Sequence, residues 1–457
     1  MKALSVRQTI GPLIFIGLAS IFISLFNGYP LVTSDTGAYI NNGFLLQVAK
    51  DRPIVYSIFL RFFSLQFSTW LVVFIQGCLI AFLLKQSVNL LNPSHGEAKN
   101  RTFYIISLLT VAFTTLPWYA SQLMPDIFTS IMVLGIIIYF FRQSGKGTYW
   151  YLLIILSGCL MHTSHILILL MAGFTLLIYF FINRRSEHLR GYMRKTLILL
   201  AISLTSILLT STANSIAGHG FTLSPASHVF LMGKLCENGV LQSYLDDVCA
   251  EKNYGLCEYK NNLPEVAWAF VWDDNSPLNQ MGGWEATKGE YKSIIKDIAL
   301  SPKYYPSLIF KSIEHTLRQL TQIYIGDGLQ SFRENTNPYW KIEQYYSHEL
   351  PEYMNSKQNT NSLDVKAFNI VYAIFLALTC IWILFLWGKF PQNSIIKLVY
   401  LILIIFLLSN AFVTANFANV LARLNSRVIW LLPFLNVIFI YSYYLKKSEN
   451  NIKAQNS

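Results

Sequence analysis

The sequence predicts an all-α polytopic membrane protein with about ten transmembrane helices. Hydrophobic residues make up 53% of the 457 residues and charged residues only 13%, which is too apolar for an ordinary water-soluble domain. Many apolar stretches approach the roughly 20 residues that a helix needs to cross a bilayer. We place the spans at residues 10–27, 68–85, 102–118, 127–141, 148–162, 165–182, 195–213, 367–387, 396–413 and 427–445.

The Lys and Arg residues of the short connections predict the orientation, because such connections stay on the cytoplasmic side during insertion. They are concentrated in connections such as "NRRSEHLRGYMRK" at 183–195. We therefore expect both termini in the cytoplasm, and an integral protein of a bacterial inner (plasma) membrane. The net charge of +11 then reflects topology and contact with anionic lipids, and no nucleic-acid partner is expected.

The residues between the seventh and eighth spans form the one stretch long and polar enough for a separate domain. The predicted organisation is an N-terminal transmembrane module at 1–213, an outward-facing domain at 214–366 and C-terminal transmembrane helices at 367–457. Apolar residues recur at helical spacing in this domain, so it should be mainly α-helical. The stretch "YYPSLIFKSIEHTLRQLTQIYI" at 304–325 fits either the membrane surface or the core of the domain itself.

Three cysteines of the outward segment, Cys236, Cys249 and Cys257, would face an oxidising compartment that permits a disulfide bond. Three cysteines allow one disulfide and leave one thiol free. The sequence alone does not choose the pair, although we favour Cys249 with Cys257. The spacings lack a CxxC pair and an accompanying histidine cluster, so a metal site is not expected there.

Carboxylates outside the long segment are few, so each can be considered individually. Asp35, Asp51 and Asp126 all fall in short outward loops next to helix ends. Asp51 stands between Lys50 and Arg52, and we expect it to be solvated. Asp35 in "TSDTGAYI" and Asp126 in "LMPDIF" allow two interpretations. Either could cap a helix N-terminus, or it could hold a carboxylate at the floor of an outward cavity.

This arrangement resembles the GT-C class of integral membrane glycosyltransferases. Members have many transmembrane helices, an acidic motif in the first long outer loop, often a second acid in the next outer loop, and a larger outward domain. Asp35 and Asp126 occupy the matching positions, and Arg52 with Pro53 in "AKDRPIVYSIFLRFF" matches the loop before a juxtamembrane helix. The chain departs from the class in having one acid where many members carry an adjacent pair, and in the position of its large domain.

The resemblance implies a sugar donor linked to a polyprenyl phosphate and an acceptor that is a glycan, a lipid or a protein. Because phosphate is a competent leaving group, the site needs a base for the acceptor hydroxyl and cations for the phosphate. Asp35 is the expected base, and Asp126 would orient it or the acceptor. Arg52, Arg423 and Arg427 would bind the donor phosphate. Arg423 and Arg427 share a face if "NVLARLNSRVIW" is helical, although arginines also anchor helices at membrane interfaces.

His162 and His165 in "MHTSHI" could contact substrate or a metal, or simply be hydrogen-bonded residues at a helix end. A divalent cation, Mg²⁺ or Mn²⁺, is a candidate cofactor, and Asp35 and Asp126 would then be its expected ligands. No dedicated metal motif is present.

Two other functions fit parts of the pattern. A polymerase or ligase of surface polysaccharide would also use a lipid-linked glycan, but would depend on arginine-rich loops more than on two early aspartates. A transporter or flippase of a lipid-linked or polar substrate would be expected to show inverted repeats and broken helices. Convergence of Asp35, Asp126 and an arginine in one outward cavity that opens sideways to lipid would favour the glycosyltransferase.

Overall fold

The structure is a computed structural model that describes residues 6–92, 97–143, 145, 147–391 and 394–455. Within these residues the chain is 75% helical and contains no strand, as the sequence predicts. The extreme termini, which the sequence places in the cytoplasm, lie outside this description.

The N-terminal part of the chain folds into a bundle of long helices joined by short ones. The helices are α1 (Val6–Ser20), α2 (Phe22–Asn27), α3 (Thr36–Leu45), α4 (Val55–Phe63), α5 (Thr69–Leu91), α6 (Glu97–Phe113), α7 (Leu116–Ala120), α8 (Ile127–Phe141), α9 (Thr148–Leu160), α10 (Thr163–Ile182) and α11 (Glu187–Ile216).

The middle and C-terminal parts begin with shorter helices and end with long apolar ones. The middle helices are α12 (Ser227–Glu237), α13 (Val240–Val248), α14 (Ala267–Trp272), α15 (Pro277–Gln280), α16 (Gly283–Ala286), α17 (Lys288–Leu300), α18 (Tyr305–Thr321), α19 (Asn337–Tyr345) and α20 (Leu350–Asn355). Three 3₁₀ turns, Gly255–Asn262, Pro302–Tyr304 and Ser347–Glu349, interrupt them. The last helices are α21 (Lys366–Trp387), α22 (Ile395–Phe417), α23 (Ala422–Ile429) and α24 (Leu431–Gln455).

Six helical segments in the described part of the chain are long and apolar enough to cross a membrane. They are Thr69–Leu91, Thr163–Ile182, Leu189–Ile216, Lys366–Trp387, Ile395–Phe417 and Ala422–Leu445. The expected number of ten is not supported. Ile10–Ser20, Ile127–Phe141 and Thr148–Leu160 are apolar but shorter, and at 1.5 Å per residue a helix of 15 residues covers about 22 Å of a core about 30 Å thick.

Helix α8 lies at the centre of the bundle. Every side chain from Ile127 to Phe140 is buried, and α8 packs against α5, α9 and α22. A helix that is apolar on all sides is stable only away from water, and here the neighbouring helices enclose it. The residue that precedes α8, Asp126, is therefore held at the edge of the most buried part of the molecule.

The segment between α11 and α21 contains two structurally different parts. Residues from Val229 to Tyr304 enclose a hydrophobic core of their own. Residues from Ile325 to Tyr353 instead belong to the core of the membrane helices. The second part is thus packed directly onto the helical bundle.

Helix α18 connects these two parts and packs along the span α22. Its apolar side chains Ile309, Phe310 and Ile313 are exposed, so they do not fill the core of the middle segment. This stretch therefore packs mainly against a candidate membrane span and not within the core of the middle segment.

Hydrogen bonds to Glu349 hold the second part of the segment against the bundle. The buried Glu349 carboxylate accepts hydrogen bonds from Tyr29 Oη at 2.8 Å, Ser68 Oγ at 2.6 Å, and Thr69 Oγ1 at 2.6 Å and N at 3.1 Å. Thr69 is the first residue of α5, so the carboxylate also faces the positive end of a helix dipole. Four donors explain how a carboxylate can be buried here.

A disulfide bond joins Cys249 to Cys257, and Cys236 is a free, buried thiol that donates to the Pro264 carbonyl at 3.0 Å. The favoured pairing is therefore confirmed. The bond closes a short loop at the end of α13.

Replacing Cys249 and Cys257 together by Ser should lower the free energy of unfolding of the middle segment by about 2–3 kcal/mol, because the unfolded chain loses a loop constraint. Thermal unfolding with and without reductant measures this change. The double variant is the control, since reductant should not affect it further. Mass spectrometry that finds Cys236 in the disulfide would contradict the assignment.

Candidate active site

A cavity of about 880 Å³ lies between the membrane helices and the middle segment. Its wall is formed by α3, the start of α10, the end of α22 with the loop that follows it, and residues of α12 and α14. A volume of this size is typical of sites for small molecules.

The backbone brings the two sequence-predicted acids to the same side of this cavity. Leu31 and Gln122 form an isolated parallel β-bridge, in which Leu31 N donates to Ser121 O and Leu123 N donates to Leu31 O, both at 2.9 Å. Asp35 follows Leu31 by four residues, and Asp126 follows Gln122 by four. Because the two segments run parallel, both carboxylates emerge at the same end of the bridge.

Asp35 lies between two arginines. One carboxylate oxygen is 3.2 Å from Arg52 Nη2, and the other is 3.4 Å from Arg423 Nη2. Burial would raise the pKa of Asp35, but the positive charges of Arg52 and Arg423 outweigh it and hold the pKa below its ordinary value. About a third of the Asp35 side chain is exposed, so the ionised carboxylate is accessible from the cavity.

Asp126 makes a buried ion pair with Arg427. The two side chains are 4% and 1% exposed, and Arg427 Nη1 lies 3.0 Å from Asp126 Oδ1. Arg427 Nη2 also donates to Asn410 Oδ1 at 3.3 Å and Ser164 Oγ at 3.4 Å. Arg427 is thus enclosed behind the cavity wall, and the pair holds α23 against the start of α8.

Arg423 connects the two acids. Besides its contact with Asp35, its Nε lies 3.9 Å from Asp126 Oδ2, which is too long for a hydrogen bond. Among the described residues this Nε has no hydrogen-bond partner. Arg423 and Arg427 occupy one face of α23, as their spacing predicts, and Arg423 is the one that lines the cavity.

Neither acid acts as a helix cap. Asp35 and Asp126 occupy the N-cap positions of α3 and α8, but neither side chain makes a capping hydrogen bond. In the turn before α3, Thr33 N donates to Thr36 Oγ1 at 2.9 Å, so the threonines close the turn themselves. The capping interpretation is therefore wrong for both residues, and their carboxylates are directed to arginines.

The two histidines have different environments. His165 is buried, with Nδ1 2.8 Å from Gly158 O and Nε2 2.7 Å from Thr129 Oγ1. A carbonyl only accepts, so Nδ1 carries the proton and Nε2 accepts from Thr129. This residue has a structural environment and does not line the cavity.

His162 does line the cavity. Its Nδ1 accepts from Ser164 N at 3.1 Å and so caps α10. Burial, together with the charges of Arg427 and Arg423, lowers the pKa of His162. The ring is therefore neutral at pH 7, and its Nε2–H is available as a hydrogen-bond donor.

Two further acids belong to the site. Asp51 was expected to be solvated, but its side chain is 16% exposed and lies 2.6 Å from Arg52 Nη2. Asp327 lies between two glycines with positive φ, Gly326 and Gly328, and accepts from Arg423 N at 3.1 Å. Asp327 is one of many acids in the 214–366 segment, and composition does not single it out. The sequence Gly-Asp-Gly, which is typical of a tight turn, is the feature that distinguishes it.

Four acids and three arginines form one group of charged side chains, hereafter the Asp–Arg cluster. Its members are Asp35, Asp51, Asp126, Asp327, Arg52, Arg423 and Arg427. The negative and positive charges of the cluster nearly balance. Within the described part of the chain, no three His, Cys, Asp or Glu side chains are arranged to hold a metal ion. Asp35 and Asp126 face guanidinium groups instead, so this donor set does not fit a resident Mg²⁺ or Mn²⁺.

Comparisons with known protein families, with curated proteins and with solved structures found no match to this chain.

Asp126→Asn should destabilise the protein by about 3–5 kcal/mol, because it leaves the Arg427 guanidinium buried without a carboxylate. Asp35→Asn is the matched control, since Asp35 is partly exposed and Arg52 keeps Asp51; its cost should be about 1 kcal/mol or less. Thermal unfolding of both variants in one detergent measures the difference. Equal loss of stability in the two would contradict the structural role of Asp126.

Proposed function

We propose that this chain is a GT-C-like membrane glycosyltransferase. It would move a sugar from a polyprenyl-phosphate donor to an acceptor hydroxyl on the outer face of the membrane, with Asp35 as general base. The observation that carries the proposal is the position of Asp35 between Arg52 and Arg423 in a cavity lined partly by membrane helices. This is the combination of base and phosphate-binding cations that the reaction needs.

The two arginines that line the cavity are the proposed donor phosphate site. Arg423 lines the cavity and contacts the two acids only at 3.4 and 3.9 Å, so its guanidinium can also bind an anionic oxygen. Arg427 is enclosed and paired with Asp126, so its proposed role is to hold α23, and hence Arg423, in place.

The proton transfer follows from the same contacts. While Arg52 and Arg423 face it, the Asp35 carboxylate is a weak base, because its pKa is lowered. A phosphate that binds these arginines neutralises part of their charge and so makes Asp35 more basic. Asp35 then takes the proton of the acceptor hydroxyl while the hydroxyl oxygen attacks the anomeric carbon of the donor sugar. The bond between that carbon and the phosphate oxygen breaks, and polyprenyl phosphate leaves.

The proposal includes an orientation and a bilayer arrangement. The Asp–Arg cluster and the middle segment face outward, both termini are cytoplasmic, and the membrane is a bacterial inner membrane. The three shorter apolar helices, which include α8, would bring the six candidate spans to nine crossings. The basic connections support this orientation.

The orientation can be tested with single cysteines introduced at residue 185, which is exposed in a basic connection, and at residues 250 and 340 for labelling in intact cells. A membrane-impermeant thiol reagent should modify 250 and 340, and should reach 185 only after the membrane is opened. Labelling at 250 that also needs an opened membrane would place the Asp–Arg cluster on the cytoplasmic side and remove the proposed donor.

Asp35→Asn should reduce glycosyl transfer by about 10²- to 10⁴-fold, the usual contribution of a general base. The amide keeps the size of the side chain, so expression should be unchanged. Turnover is measured in nanodiscs with labelled polyprenyl-phosphate sugars and extracted cell-surface acceptors. Asp274→Asn, an exposed acid outside the cavity lining, is the matched control. Equal turnover in the two variants would exclude Asp35 as the base.

A further inference from the structure

Two tryptophans of α14 line the cavity. Trp268 and Trp272 are 60% and 45% exposed, whereas their neighbours Ala267, Phe270 and Val271 are buried. Residues four apart share one face of a helix. Helix α14 therefore packs one face into the core of the middle segment and presents two indole rings to the cavity.

One of the two exposed rings, that of Trp272, is held by other aromatic residues. Trp272 packs against Phe230 and Trp284, with ring centroids 6.2 and 5.6 Å apart, and Phe230 also packs against Trp284 at 5.9 Å. Such contacts fix the orientation of the Trp272 ring. Exposure of large apolar rings is unfavourable in water, so two exposed indole rings on one helix face in a cavity indicate a surface for a ligand.

Neutral hydrogen-bonding side chains also line the cavity. They include Ser224, Ser227, Gln330, Asn337 and Asn419. Flat aromatic rings pack against the C–H faces of a sugar, while hydroxyl and amide groups bond to its hydroxyls. This mixture of groups matches a neutral, polyhydroxylated ligand.

We propose that Trp268 and Trp272 form a binding subsite for a carbohydrate acceptor. The inference rests on the proposed function, and it specifies that the acceptor is a glycan. The aliphatic part of the cavity suits a lipid tail better, because Leu167, Val413 and Leu424 come from the candidate membrane spans. In this proposal the sugar contacts the indole rings and the polyprenyl chain contacts these aliphatic side chains.

The test measures binding by isothermal titration to the full chain in nanodiscs. The probes are maltotetraose, mannotetraose, chitotetraose and, separately, decaprenyl phosphate. Trp268→Ala and Trp272→Ala should each weaken binding of at least one tetrasaccharide by about tenfold or more, with decaprenyl phosphate binding unchanged. Trp340→Ala is the matched control, because Trp340 is 50% exposed but does not line the cavity.

Three results would overturn the subsite. The tetrasaccharides could fail to bind the unmodified protein, they could bind equally to all variants, or the α14 variants could lose decaprenyl phosphate instead. The last result would assign the rings to the lipid. Trp268→Phe should restore part of the sugar affinity, which separates loss of the ring from damage to the fold.

Failure of this inference differs from failure of the proposed function. If the tetrasaccharide binds through Trp268 but no sugar is transferred from any polyprenyl-phosphate donor, the subsite stands and the reaction does not. If transfer proceeds equally well in Trp268→Ala and the unmodified protein with a glycan acceptor, the reaction stands and the subsite does not.

Discussion

The backbone bridge between Leu31 and Gln122 is the constraint on which the site depends. It aligns two loops that are far apart in sequence, so that Asp35 and Asp126 leave it in the same direction. Gln76 supports it from inside the bundle by donating to Ala120 O at 3.1 Å and Gln122 O at 3.0 Å. Because these backbone groups are buried, each must be paired, and the pairing leaves the loops little freedom to shift against each other.

The two acids differ in burial, and this difference suits Asp126 to a structural role and Asp35 to the proposed catalytic one. The ion pair of Asp126 and Arg427 is buried. Each charge neutralises the other, and the pair holds α8 and α23 in one arrangement. Asp35 is nearer the opening and shares its charge with arginines that line the cavity. A phosphate can therefore compete with Asp35 for Arg52 and Arg423 without exposing the Asp126–Arg427 pair. This is the physical basis for the proposed order, in which phosphate binding precedes proton transfer.

The packing of the middle segment explains how the cavity obtains walls of different chemistry. Its second part joins the core of the membrane helices and is fastened by Glu349 to the start of α5. Its first part keeps a separate core and brings α14 against the cavity. The charged residues of the Asp–Arg cluster come from loops of the bundle, from α23 and, in the case of Asp327, from the middle segment. The aliphatic residues come from the candidate spans, and the exposed aromatic pair comes from α14, whose other face packs into the separate core.

Composition and helical periodicity by themselves determined that this is a helical membrane protein. They also located the loops that hold Asp35, Asp126 and Arg52 and the short helix that holds Arg423, because apolar length and helical spacing are local properties. They did not determine the number of crossings, because the length of each helix depends on its packing against other helices. Only the tertiary structure decided that Asp51 and Asp327 join the site and that Arg427 is enclosed. The ion pairs Asp35–Arg423 and Asp126–Arg427 join residues 388 and 301 positions apart. The burial of Asp51 beside Arg52 depends on the segments that enclose them, and neither distance nor burial is encoded at a single position.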